Sequence, residues 1–294
     1  MTAAVSTRAL GCRFGDTWAL RECTFDLPAG SVAAVVGPNG AGKTTLLNML
    51  VGLLPPSEGQ ARVFDAEPDD KPSFLARVGF VAQDAPLYPD FSATDHLRMG
   101  RHLNAHWRGD AVRDHLISVG VPLDRPASTL SGGQRAQLAL ALAAGKEPDL
   151  LILDEPLASL DPIARRDFMQ SLMATSATGT TVMLSSHLIS DLAHVCDFLL
   201  VLVGGQVRLA GDLDDLVAQH RWVVASIDDA KRLPADVEVV IAYEHERNSR
   251  LLVRTPDPLL NPALVSTPVD LEDLVLGYLE TTTPSRGPHL QVHA

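Results

Sequence analysis

The chain has 294 residues, room for one α/β domain with a smaller appended segment and too few for two domains of usual size. Its 36 acidic against 24 basic residues leave a formal charge of −12, which argues against nucleic acid or anionic lipid as the main partner, since both reward clustered Lys and Arg. No window reaches the roughly 20 apolar residues of a spanning helix and the N-terminus has no signal-peptide stretch, so a soluble, cytoplasmic protein is expected.

In chain order, the alternation of Ala9, Cys12 and Phe14, and again of Cys23, Phe25 and Leu27, predicts antiparallel strands with turns at Gly15–Asp16 and Pro28–Gly30. The run SVAAVV (31–36) predicts a strand buried on both faces, and Thr44–Leu54 a helix stopped by Pro55–Pro56. VGFVAQ (78–83) predicts another short strand. From about residue 86 to 145 the pattern is helical, with breaks at Gly109–Asp110 and Gly120–Pro122. LLILDEP (150–156) and TTVMLSSH (180–187) predict two more strands. Strands alternating with helical segments imply a mostly parallel sheet covered on both faces and interrupted by a helical insert. Beyond His220, WVVASI, VEVVIAYE and RLLVRT form a small strand set, VDLEDLVLGYLE (269–280) an amphipathic helix, and SRGPHLQVHA a frayed end. Cys12, Cys23 and Cys196 lack metal-ligand spacing and are expected as buried small hydrophobes.

Between the first buried strand and its helix stands GPNGAGKTT: Gly37, Pro38, Asn39, Gly40, Ala41, Gly42, Lys43, Thr44 and Thr45. This is the G-x-x-x-x-G-K-[ST] pattern in its required strand-before, helix-after setting. Glycines let backbone N–H groups converge on an anion, and the helix start adds its positive end. Lys43 would reach the β- and γ-phosphates of a nucleotide, and the Thr44 hydroxyl would ligate Mg²⁺. The loop alone suits kinases, GTPases and ATPases equally.

LLILDEP ends a buried strand on two acids, which is costly unless the charges have a use. Asp154 would hold Mg²⁺ and Glu155 would polarise an attacking water, a general-base role worth roughly 10²–10⁴-fold. Between the two motifs lies TLSGGQRAQ, where Ser131, Gly132, Gly133 and Gln134 read as a capped helix start and a second anion-binding end. It would serve either a second nucleotide or the same nucleotide approached from another subunit.

LSGGQ placed between GPNGAGKTT and LLILDEP resembles the ATP-binding cassette family, the ABC ATPases, over about Arg8 to Gly211. The resemblance implies a P-loop NTPase (RecA-like) α/β core with an antiparallel β subdomain and an inserted helical subdomain (about 86–145). The cassette domain would occupy 1–220, followed by a small C-terminal α+β accessory segment at 221–294. It implies ATP and Mg²⁺ as cofactors, with Ser131–Gln134 capping the ATP held by a partner cassette. Gln83 would touch Mg²⁺ and the attacking water, and Phe14 would stack on adenine, with Trp18 as a rival. Asp161, in SLD, would sit at the dimer interface, and His187 would contact the γ-phosphate. Leu157 stands where the family often has Thr, and Ala136 and Gln137 where it often has further basic residues. The implied activity is ATP hydrolysis that powers transport, preferably export, through a separate permease, with the chain peripheral on the cytoplasmic face. The rival is a non-membrane ABC ATPase acting on ribosomes or DNA, which the acidic charge and single phosphate loop disfavour.

Overall fold

In the computed structural model the described residues are 2–84, 86–187, 189–245, 248–256 and 264–281. They divide into two compact units, 1–210 and 211–294.

The first unit opens with the hairpin β1 (Ala3–Phe14) and β2 (Thr17–Pro28), turned at Gly15 as the alternation indicates. With β4 (Glu58–Val63) it makes a three-stranded antiparallel sheet in the order β2-β1-β4. The polar edge strand EGQARV escaped the sequence reading, because only its Ala61 and Val63 are buried.

The larger sheet runs β5-β6-β7-β3-β8-β9 and comprises β3 (Val32–Val36), β5 (Val78–Val81), β6 (Leu150–Leu153), β7 (Thr181–Ser186), β8 (Phe198–Val203) and β9 (Gln206–Asp212). The pairs β5–β6, β6–β7, β7–β3 and β3–β8 are parallel. Every residue of β3, β6, β7 and β8 is buried; β3, β6 and β8 are accordingly continuous apolar runs, while β7 opens on Thr181 and ends on Ser185 and Ser186. Each fully buried Leu or Val contributes about 1.5–3 kcal/mol. FLLVLV of β8 carries the same signal, although it was not among the strands expected.

Helix α1 (Lys43–Leu50) follows β3 and ends four residues before the predicted Leu54. Gly52 sits at φ +79° and donates to Met49 O, closing the helix before the prolines are reached. After α2 (Pro72–Leu75) and β5 comes the helical insert, with α3 (Ala93–Leu103), α4 (Gly109–Ser118) and α5 (Gly132–Ala144) around Leu116, Leu130 and Leu138. Gly109 begins α4 rather than breaking a helix; the break lies before it. There the Trp107 indole fills the space beside Gly100, where a Cβ would stand 2.4 Å from the ring. Helix α6 (Pro162–Ser176) connects β6 to β7, and α7 (Ile189–Leu192) follows β7. All three cysteines are buried, and burial pushes the Cys196 thiol up to about 12.

The second unit comprises α8 (Leu213–Gln219), β10 (His220–Ser226), α9 (Ile227–Ala230), β11 (Glu238–His245), β12 (Asn248–Arg254), β13 (Val265–Pro268) and α10 (Leu271–Glu280). Its antiparallel sheet runs β11-β12-β10-β13, with α10 packed on β11. The division falls ten residues before the expected boundary because α8 belongs with β10. His220 Nδ1 donates to Leu216 O at 2.6 Å, and its Nε2 accepts from Tyr278 Oη at 2.9 Å. The frayed end expected at 285–294 lies outside the described residues.

Burial holds the His220 pKa below its ordinary 6.5, with the Arg254 charge adding to the effect and the Leu216 carbonyl and Glu238 opposing it. The unfolded chain therefore takes up this proton at higher pH than the folded one. The second unit should keep its full stability above pH 6.5 and lose it as pH falls through the folded value. Protection factors for amide exchange at β10 and β12, taken relative to the intrinsic rate at each pH, should fall on acidification in the native protein. In His220→Gln this pH slope should vanish.

Candidate functional site

The phosphate-loop pattern occupies the turn from β3 into α1, and close approaches explain two of its three glycines. A Cβ at Gly37 would stand 2.2 Å from Leu202 O, and one at Gly42 2.5 Å from Ala19 O. Gly42 is also the residue before α1 and has φ +100°, a backbone that side-chain-bearing residues rarely adopt. Lys43, the first residue of α1, is 6% exposed and donates from Nζ to Gly37 O at 2.8 Å.

Sheet register brings the remaining groups to this loop. Val36 pairs with Ser186, and Leu153 with Leu184. Continuing the same register sets Asp154 beside Ser185 and Glu155 beside Ser186, at the carboxyl ends of adjacent parallel strands. The side chains obey it. Ser185 Oγ donates to Asp154 Oδ1 at 2.6 Å and accepts from Glu155 N at 2.8 Å. Glu155, 9% exposed, has Oε1 at 3.3 Å from Lys43 Nζ, and its Oε2 accepts from His187 Nδ1 at 2.8 Å. Lys43, Glu155 and His187 thus form one polar chain, with Asp154 tied to it through Ser185.

Glu155 adopts φ +47°, in the left-handed region that a side chain makes costly. The strain turns its carboxylate back across the strand ends toward Lys43. Such a buried ion pair is held only when further hydrogen bonds satisfy its atoms, and the Gly37 carbonyl and the His187 ring do so here.

Asp154 is 1% exposed and Thr44 is exposed at the mouth of the loop. With the Gln83 amide oxygen they would offer only oxygen donors, the hard ligation that suits Mg²⁺. Gln83 lies just past β5, exposed, beside a cavity of about 250 Å³ that Pro156, Ser159 and Gly132 also line. Among the described residues no group of three or more His, Cys, Asp or Glu side chains could hold a metal on protein ligands alone.

Ser131 caps α5, which begins at Gly132. Ser131 Oγ accepts from Gln134 N at 3.2 Å, while Gln134 Oε1 accepts from Ser131 N at 3.1 Å. Gln134 Nε2 donates to Gly120 O at 3.1 Å, so its amide also fixes the preceding loop. The helix start keeps the Ser131 hydroxyl proton and the bare Gly132 and Gly133 amides for an anion.

Asp161 caps α6, its Oδ1 accepting from Ile163 N and Ala164 N at 3.0 Å each. Phe14 ends β1 and is 55% exposed. The rival Trp18 is half-buried with the Arg13 guanidinium 5.6 Å from its ring centre, which leaves Phe14 as the open aromatic face. Thr45 is half-buried on α1, with Asn39, Gly40 and Pro38 in the loop ahead of it. Ser185 was missed from sequence. Its only signal was a polar residue at the end of a buried strand one register step from an acid.

Comparison with known proteins bears on this site. Residues 20–158 match the family described as ABC transporter. The Nod factor export ATP-binding protein I of Cupriavidus pinatubonensis is 34% identical, over 94% of this chain and 90% of its own. The molybdenum import ATP-binding protein ModC of Vibrio parahaemolyticus is also 34% identical, over 68% of this chain and 57% of its own. Among solved structures, cbiO1 from Clostridium perfringens, described as part of an ABC transporter complex, superposes with a TM-score of 0.63. It is 28% identical and covers 74% of this chain and 92% of its own.

Proposed function

The chain belongs to the ABC transporter family as an ATP-binding cassette with ATPase activity, and from that premise we propose that it drives export through a separate membrane permease by closing with a second cassette around ATP. The observation that carries the hydrolytic part is the joined array of Lys43, Glu155 and His187 at the ends of neighbouring strands. Preference for export rests on extent. The relatives similar along 93–94% of the chain, past the cassette into the second unit, are named for export, while the import relative covers 68%, about as much as some export relatives do.

The phosphates of ATP lie against the loop N–H groups, and Lys43 turns from Glu155 to the β- and γ-phosphate oxygens. That frees a desolvated carboxylate beside the γ-phosphate. Glu155 accepts a proton from water as the water oxygen bonds to phosphorus and the bond to the bridging oxygen breaks, releasing ADP. His187, held through Nδ1, keeps the carboxylate oriented and offers its Nε2 edge to the γ-phosphate. Thr44, Asp154 and Gln83 would hold Mg²⁺, which supplies charge neutralisation on the phosphates. Phe14 is the stacking face for adenine. Asp161 serves the dimer interface by fixing the start of α6 near the Ser159 loop.

Ser131–Gln134 binds the nucleotide of the partner cassette, so that ATP joins the two chains and hydrolysis parts them. The permease meets the exposed face next to Gln83, where Tyr88 and Phe91 are 56% and 39% exposed with ring centres 5.0 Å apart. Among the described residues no helix is long and apolar enough to cross a membrane. A ribosome- or DNA-acting cassette gains nothing from relatives named for transport.

Light scattering of Glu155→Gln with Mg-ATP tests the closure. The expected result is a doubling of mass on adding Mg-ATP and none without it. A mass that stays at one chain while ATP is bound would refute closure of this chain upon itself.

A further inference from the structure

Helix α5 carries a buried side chain that the chemistry above does not use. Gln137 is 5% exposed, and neither its Oε1 nor its Nε2 has a hydrogen-bond partner. Gln134, one turn earlier, spends both of its amide groups on Ser131 N and Gly120 O. An unpaired amide away from water is costly, and a protein keeps one only where another arrangement satisfies it or a function requires it.

The surroundings of Gln137 are equally unusual. Gly133 lies four residues before it on the same helix face. A Cβ at Gly133 would stand 2.8 Å from Ala164 Cβ, so α5 and α6 press together at their starts. To one side of Gln137, Gly132 and Ala136 face Phe168 across the 250 Å³ cavity shared with Gln83 and Ser159. To the other side, Leu140 and Ala141 face Ser171 and Thr175 across a larger cleft of about 500 Å³. Open space thus lies between α5 and α6 at the level of the first turn of α5 and again beyond Gln137, and between the two stands a polar group that the present packing leaves unsatisfied.

We propose that Gln137 is a positioning residue for the Ser131–Gln134 helix start. A shift of α5 along α6, for which the two cavities leave room, gives the Gln137 amide its missing hydrogen bond. The same shift carries Ser131, Gly132 and Gly133 to the nucleotide of the partner cassette. The unpaired amide tilts the equilibrium toward the shifted packing, so that less of the ATP binding energy goes into moving the helix. This rests on the reading of Ser131–Gln134 as the partner-facing half of the site.

The test compares Gln137→Leu, and Gln137→Met as a second variant of similar size, in the Glu155→Gln background. Without ATP, the leucine variant should melt about 2–4 °C higher, since an unpaired amide has been replaced by apolar volume. The Mg-ATP concentration for half-maximal dimerisation should rise roughly fivefold or more. A lower melting temperature in both variants would mean that the amide is already paired and would overturn the proposal. So would a raised melting temperature with an unchanged ATP midpoint, because no partner would then be gained on closure. Failure of the Glu155→Gln parent to dimerise would instead refute the sandwich reading before Gln137 is touched, and this inference with it.

Discussion

Glu155→Gln should bind ATP as well as the native chain and hydrolyse it roughly 10²–10⁴-fold more slowly. The substitution keeps the shape and removes the proton acceptor. The backbone at this position is held by its own N–H on Ser185 Oγ and by the left-handed turn, neither of which depends on the carboxylate. His187 Nδ1–H can still donate to the amide oxygen at the place of Oε2. Removing the negative charge 3.3 Å from Lys43 Nζ also frees that ammonium for phosphate, so affinity should hold or improve. Phosphate release measured beside an ATP titration separates the two effects. Turnover at the native rate would remove Glu155 from the role of base.

Lys43→Ala should do the opposite and cost binding first. A charge-assisted hydrogen bond contributes about 1.5–3 kcal/mol, so ATP affinity should fall roughly 10–100-fold. A second loss follows from the buried geometry. Glu155 stays 9% exposed while its cation 3.3 Å away disappears, leaving a carboxylate with only the His187 ring. Breaking a buried pair on one side destabilises by about 3–5 kcal/mol, whereas removing both members costs far less. Thermal melts should therefore show Lys43→Ala well below native, and Lys43→Ala/Glu155→Gln recovering much of the difference. A double variant no more stable than the single would mean that the pair is not coupled.

Much of this architecture is legible in short stretches of chain. SVAAVV, LLILDEP and TTVMLSSH announce β3, β6 and β7 because a strand buried on both faces has no polar side to hide. GPNGAGKTT announces a phosphate loop by its pattern alone, although Gly37 and Gly42 also answer close approaches by Leu202 O and Ala19 O from elsewhere in the chain. Contacts made across the sheet are not written locally. Ser185 looks like any other strand-end serine until register sets it beside Asp154. Gln134 is legible as a capping residue, but its hold on Gly120 O spans fourteen residues of loop. Asp161 stands in a recognisable SLD stretch, but nothing in those letters announces that its carboxylate is taken up by the first turn of α6. The early end of α1 was hidden because Pro55–Pro56 is the louder stop signal, while Gly52 acts first.

Strand register works in this chain like the teeth of a gear. Three motifs scattered over 150 residues of sequence mesh only because Val36 stands at Ser186 and Leu153 at Leu184. Slipping β7 by a single tooth would displace His187 by about 3.3 Å and turn each of its side chains to the opposite face. Ser185 would leave Asp154, and the imidazole would lose Glu155, yet every recognisable letter of the motifs would remain. A chain of this kind can thus be silenced by a one-residue insertion within Thr181–Leu184 that leaves the lysine, the glutamate and the histidine all present in the sequence. Intact signatures certify the parts, and only the meshing of the strands certifies the machine.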